Sequence, residues 1–134
     1  MRMNTALPDS LKTDANAAVL TWLSDKSAHD EVASALLGAT RALGDVVTYC
    51  PDSKQFRYVL AATRGTVFGV ATGMSSVSFR LDREMCRRAL QSGAEAASEI
   101  GPDWVSFTLF RSDWPAPDLA FWALKAYALA RENR

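Results

Sequence analysis

The sequence predicts one α+β domain, an antiparallel β-meander with helices packed mainly on one face, in the order ααββββαβα. Three observations carry this. Apolar residues recur at spacings of three and four up to Gly44, then at every second residue from Asp45 onward. Strand-like runs then follow one another through short turns. Strands joined that closely pair antiparallel, because parallel pairs need long crossovers. Finally, an alternating strand and an apolar helix close the chain between Gly101 and Arg134, where three of the four tryptophans stand: Trp104, Trp114 and Trp122.

The elements follow in order. Asp14 or Thr13 caps a first helix carrying Val19, Leu20, Trp22 and Leu23, with Leu11 packed in front of it. Ser27-Ala28-His29-Asp30 reads as a cap for a second helix, whose stripe Val32, Leu36, Ala39 and Leu43 lies on one face and ends at Gly44 as a left-handed stop. Strands are expected over Val46–Tyr49, Phe56–Thr63, Thr66–Ala71 and Val77–Leu81, with Arg64-Gly65 as a two-residue hairpin turn. Gly69, inside the third strand, marks a bulge or the close approach of another element. Asp82 caps a helix through Arg83–Gln91, and Ala94–Ile100 continues helically until Gly101-Pro102 breaks it. Trp104–Phe110 forms the fifth strand, and Pro115-Ala116-Pro117-Asp118 opens the last helix.

At 134 residues and 49% hydrophobic, the chain is long enough to bury a core of its own, so residues 1–134 read as a single domain. A helical pair occupies about 11–44, and the sheet with the C-terminal helices about 45–134. Fifteen basic and fifteen acidic residues give a formal charge of zero, which argues against bulk electrostatic binding to nucleic acid or to an anionic membrane. Cys50 and Cys86 fit no metal, haem or redox spacing and read as free thiols. The N-terminus lacks the apolar run of a signal peptide, and no window approaches a membrane span, so a cytoplasmic location is expected.

The catalytic inventory is short. His29, the only histidine, falls in the first turn of the second helix beside Asp30, where a solvated cap neighbour is the simplest reading. No cluster of ligating residues has metal spacing, and no glycine-rich phosphate loop occurs. No catalytic residue, cofactor or metal is therefore assigned. Arg57, Tyr58, Arg64 and Arg80 mix basic and aromatic side chains on adjacent strands and form the candidate binding surface, since such a mixture can stack rings and contact phosphates. Alternation argues the other way, with Tyr58 facing a core and the arginines solvated. In the last helix, Leu119, Trp122, Ala126, Leu129 and Ala130 make one apolar face, and Phe121, Leu124 and Ala128 make a second. That second face needs a cover. Either the N-terminal helices supply it through Trp22 and Leu23, or a second protomer or another protein does, with Trp22, Phe121 and Leu124 at the interface.

Four segments carry a family resemblance. Phe79-Arg80-Leu81-Asp82-Arg83-Glu84-Met85 forms a strand-to-helix step built on arginine–x–aspartate, and Asp103-Trp104-Val105-Ser106-Phe107-Thr108-Leu109 a tryptophan strand. Ala116-Pro117-Asp118-Leu119 opens the last helix, in which Lys125-Ala126-Tyr127 stands where Ser-Tyr is common. On these residues the chain, from roughly Val32 to Ala130, resembles the MmcQ/YjbR-like family of small bacterial proteins, with the TfoX N-terminal family as the near alternative. The resemblance implies an α+β fold and, through likeness to a double-wing transcription-factor domain, nucleic-acid binding. The expected function is a non-enzymatic bacterial binding or interaction module. A nucleic-acid-binding regulator and a small-molecule-binding enzyme are the alternatives.

Overall fold

The computed structural model describes residues 4–51, 57–110 and 116–132. Two 3-10 turns, Asp9–Leu11 and Asp14–Asn16, precede helix α1 (Ala17–Leu23) and helix α2 (Asp30–Thr40). Strands β1 (Val47–Tyr49), β2 (Val59–Thr63), β3 (Thr66–Thr72) and β4 (Ser76–Arg80) follow. Helix α3 (Arg83–Gln91), the two-residue strand β5 (Glu95–Ala96), strand β6 (Trp104–Thr108) and helix α4 (Leu119–Glu132) complete the chain. The six strands form one antiparallel sheet in the order β1-β2-β3-β4-β6-β5. The α+β meander read from the sequence is the fold, with one strand more than the pattern suggested.

One face of the sheet carries Val59, Ala61, Phe68, Val77, Phe79 and Phe107. Val32 and Leu36 of α2 and Trp122, Ala123, Ala126 and Ala130 of α4 pack onto it. Leu36 and Phe79 are fully buried, and burying a side chain of that size contributes about 1.5–3 kcal/mol. Phe79, Phe107 and Trp122 form an aromatic run, with successive ring centroids 6.2 and 5.3 Å apart. Gly69 lies close under this run. A β-carbon on it would come within 3.0 Å of the Phe79 ring and 3.4 Å of Leu36. The β2–β3 register also slips between Ala61 and Ala62, so Gly69 marks both a bulge and a close approach.

The other face carries Tyr58, Leu60, Ala62, Val67, Val70 and Trp104, and it is covered by Leu11, Val19 and Leu23 from the N-terminal turns and α1. Asn16 fastens that cover. Its side chain is buried; Nδ2 donates to the carbonyls of Leu11 and Gly65, both at 2.9 Å, and Oδ1 accepts from the Val67 amide at 3.0 Å. A buried amide with its partners supplied stabilises, whereas one left unpaired costs more than the bonds contribute.

Several local expectations change. His29, not Ser27, caps α2: its Nδ1 accepts from the Glu31 amide at 3.1 Å. Ser27 and Ala28 instead bridge to Arg57 and Gly73. The left-handed residue after α2 is Asp45, at φ 61°, rather than Gly44. Ala94–Ile100 does not continue as helix, because β5 pairs with β6 and the Ala97 amide donates to the Trp104 carbonyl at 2.9 Å. Arg64-Gly65 does turn the hairpin, with both residues at positive φ (50° and 77°), the twist that suits a two-residue connection. Asp82 caps α3, accepting from the Met85 amide at 2.8 Å. Asp118 does the same for α4, accepting from the Phe121 amide at 3.2 Å. Phe56, Trp114 and Pro115 lie outside the described residues. Among those described, no helix is long and apolar enough to cross a membrane.

Candidate functional site

A concavity of about 620 Å³, open to solvent, lies where the N-terminal turns pass over the hairpin end of the sheet. Val67, Arg80 and Trp104 form its floor, from β3, β4 and β6. The floor is built by pairing: Arg80 and Trp104 stand directly opposite one another on β4 and β6, so both project to the same face. Ser10, Thr13, Ala15, Ala18 and Val19 form the wall. Arg64, Gly65 and Thr66 close the end at the β2–β3 turn. Because Asn16 bonds to Gly65 and Val67, it sets the distance between wall and floor. The volume falls in the range of small-molecule sites, about 300–1,000 Å³.

Two of the four residues proposed from the sequence as a binding surface meet here. Arg80 is half-buried in the floor, and Arg64 is exposed at the turn, where its Nη1 donates to the Arg131 carbonyl at 3.4 Å, at the C-terminal end of α4. The other two do not join them. Arg57 enters β2 at the far end of the strand, and its Nη2 donates to the Ser24 carbonyl at 3.4 Å. Tyr58 is only 6% exposed, its ring 6.1 Å from that of Tyr49 in an edge-on contact. Burial, with Tyr49 close by, pushes its hydroxyl up to about 12. Tyr58 therefore belongs to the core under α1 and offers no ring to a partner. Alternation along β2 points to this burial, with Tyr58 turned to a core.

The candidate interface residues separate too. Trp22 is half-buried on the N-terminal face, with Lys26 Nζ 4.9 Å from its ring centre. Leu23 is fully buried on that same face. Phe121 and Leu124 lie across the sheet on α4, 40% and 48% exposed. Cover of the second α4 face through Trp22 and Leu23 is thus corrected: the sheet stands between them. What α4 does gain is a polar clasp at its C-terminal end. Tyr127 donates to the Gly44 carbonyl at 2.6 Å, and Arg131 reaches Thr63 at 3.0 Å and Asp45 at 3.3 Å.

The two cysteines and His29 stand apart from the groove. Cys50 is buried, and Cys86 turns its thiol to the carbonyls of Leu81 and Asp103. Burial first and the Asp103 charge second push that thiol up, which opposes thiolate chemistry. Among the described residues, no group of three His, Cys, Asp or Glu is placed to hold a metal ion. The sequence did not point to Ser10, Thr13 and Trp104 as groove residues, or to Asn16 as the side chain that holds the wall. The only available signal was the polar run Ser10–Asn16 interrupted by Leu11, which reads equally well as a helix start.

Among the described residues the fold is a six-stranded α+β sheet whose N-terminal face carries a groove lined by Arg64 and Arg80. Comparison with family models, with curated proteins and with solved structures finds no match to this chain.

Proposed function

We propose that this protein is a binding module, and that it takes a small ligand in the groove between the N-terminal turns and the sheet. The observation that carries this is the lining itself. Two arginines, three hydroxyl side chains and an indole converge on one concavity of ligand size. The groups best suited to nucleophilic or acid–base work lie elsewhere: His29 is spent on a helix cap, and Cys86 is held in its thiol form.

Ala18 is exposed on the groove wall, so Ala18→Trp fills the space without touching the core. A fragment library screened by thermal shift should contain members that stabilise the wild-type protein and fail to stabilise Ala18→Trp. Equal stabilisation of both proteins would place the ligand elsewhere and end this assignment.

A second reading, a protein partner or a second copy bound through α4, is favoured by the exposed Phe121 and Leu124. A nucleic-acid module of the YjbR type has less support. Tyr58 is buried, Arg57 is remote from Arg64 and Arg80, and the net charge is zero.

A further inference from the structure

Arg80 and Arg64 both line the groove, and among the described residues its lining carries no carboxylate. Arg80 is half-buried, and among the described residues no hydrogen bond or ion pair engages its side chain. A guanidinium fork left without a partner in its own chain has its donors available to an incoming anion. Arg64 is tethered through one nitrogen to the Arg131 carbonyl, which leaves the remaining donors of a five-donor fork available. Guanidinium forks match the paired oxygens of phosphate and carboxylate. Ser10, Thr13 and Thr66 add hydroxyl donors, and Val19 and Trp104 add an apolar wall.

We propose that the groove binds a small organic anion, its phosphate or carboxylate received by Arg80 and Arg64 and its apolar body against Val19 and Trp104. This rests on the groove being the ligand site proposed above. Arg80 anchors the anion from the floor, and Arg64 closes on it from the turn. A long nucleic acid does not fit the same description, because a single small basic concavity on a neutral chain offers no track for successive phosphates.

Calorimetric titration of the full chain with phenyl phosphate, benzoate, benzyl alcohol and a single-stranded oligonucleotide tests this, and the first two separate phosphate from carboxylate as the preferred group. At least one of those two should bind. Arg80→Gln should weaken it about tenfold or more and Arg64→Gln by a smaller factor, while Arg57→Gln leaves it unchanged. Arg80→Lys, which keeps the charge and loses the fork, should fall between wild type and Arg80→Gln. Unchanged melting temperatures across the set separate lost binding from lost folding. If benzyl alcohol binds, is blocked by Ala18→Trp, and neither anion binds, the groove is a ligand site but the anion assignment is wrong. Absence of binding by all three small probes would overturn both proposals. Oligonucleotide binding without small-anion binding, or equal losses for Arg57→Gln and Arg80→Gln, would overturn the anion assignment in favour of a diffuse basic surface.

Discussion

On one face of the sheet, α2 and α4 lay eleven and fourteen residues of continuous helix over Phe68, Phe79 and Phe107 and close a core around them. On the other, two three-residue turns and the seven-residue α1 reach the strands at Leu11, Val19 and Leu23. A long amphipathic helix presents an apolar side chain to the sheet at every turn, so its contact is continuous. Short turns touch at points, and the gaps between those points remain. One such gap is the groove over Arg80 and Trp104. What apolar contact leaves undone, Asn16 does with directional bonds to Leu11, Gly65 and Val67. The same sheet is sealed where its helices are long and grooved where its cover is short and pinned by a polar side chain.

The largest expected effect lies on the sealed face. Phe79→Ala removes a fully buried ring between Gly69, Leu36 and Phe107 and should cost about 3–5 kcal/mol in urea unfolding. Asn16→Ala should cost less, about 2–3 kcal/mol, because it strands the Val67 amide and two carbonyls rather than opening a cavity. Its distinguishing mark is functional: it should also weaken anion binding in the groove, which Phe79→Ala should leave intact in the folded fraction. Similar binding losses from both variants would break the distinction between the faces.

A smaller effect comes from pH. Tyr58 ionises near its ordinary 10.0 when unfolded but only at about 12 when folded. The unfolded chain therefore loses this proton first as pH rises. Stability should hold below about 10 and fall between 10 and about 12, since the buried hydroxyl resists ionisation. Tyr58→Phe should flatten that decline in pH-dependent urea melts. A decline of undiminished depth in the variant would assign it to other groups.

Much of this was legible in the sequence because periodicity reports which residues share a face. The α2 stripe, the hairpin at Arg64-Gly65, the Asp82 cap and the Val105/Phe107/Leu109 face all follow from local pattern. What failed did so for physical reasons. Ala94–Ile100 has helical composition, but the unpaired edge of β6 draws it into a short strand. Alternation turns Tyr58 to a core, as found, whereas a basic and aromatic mixture on adjacent strands does not show that Arg57 and Arg64 stand at opposite ends of β2. Asn16 was invisible, since its partners at Gly65 and Val67 lie about fifty residues along the chain and its own surroundings read as a helix start. Arg64 and Arg80 can be placed near one another from the sequence because two strand ends and a hairpin turn follow from pattern alone.

Amide chemical-shift mapping of the isotope-labelled chain with phenyl phosphate tests the central claim most directly. The groove should respond at Ser10, Thr13, Gly65, Thr66 and the Trp104 indole, with α2 and α4 unmoved. Shifts centred on Phe121 and Leu124, or spread evenly along both ends of β2, would contradict it.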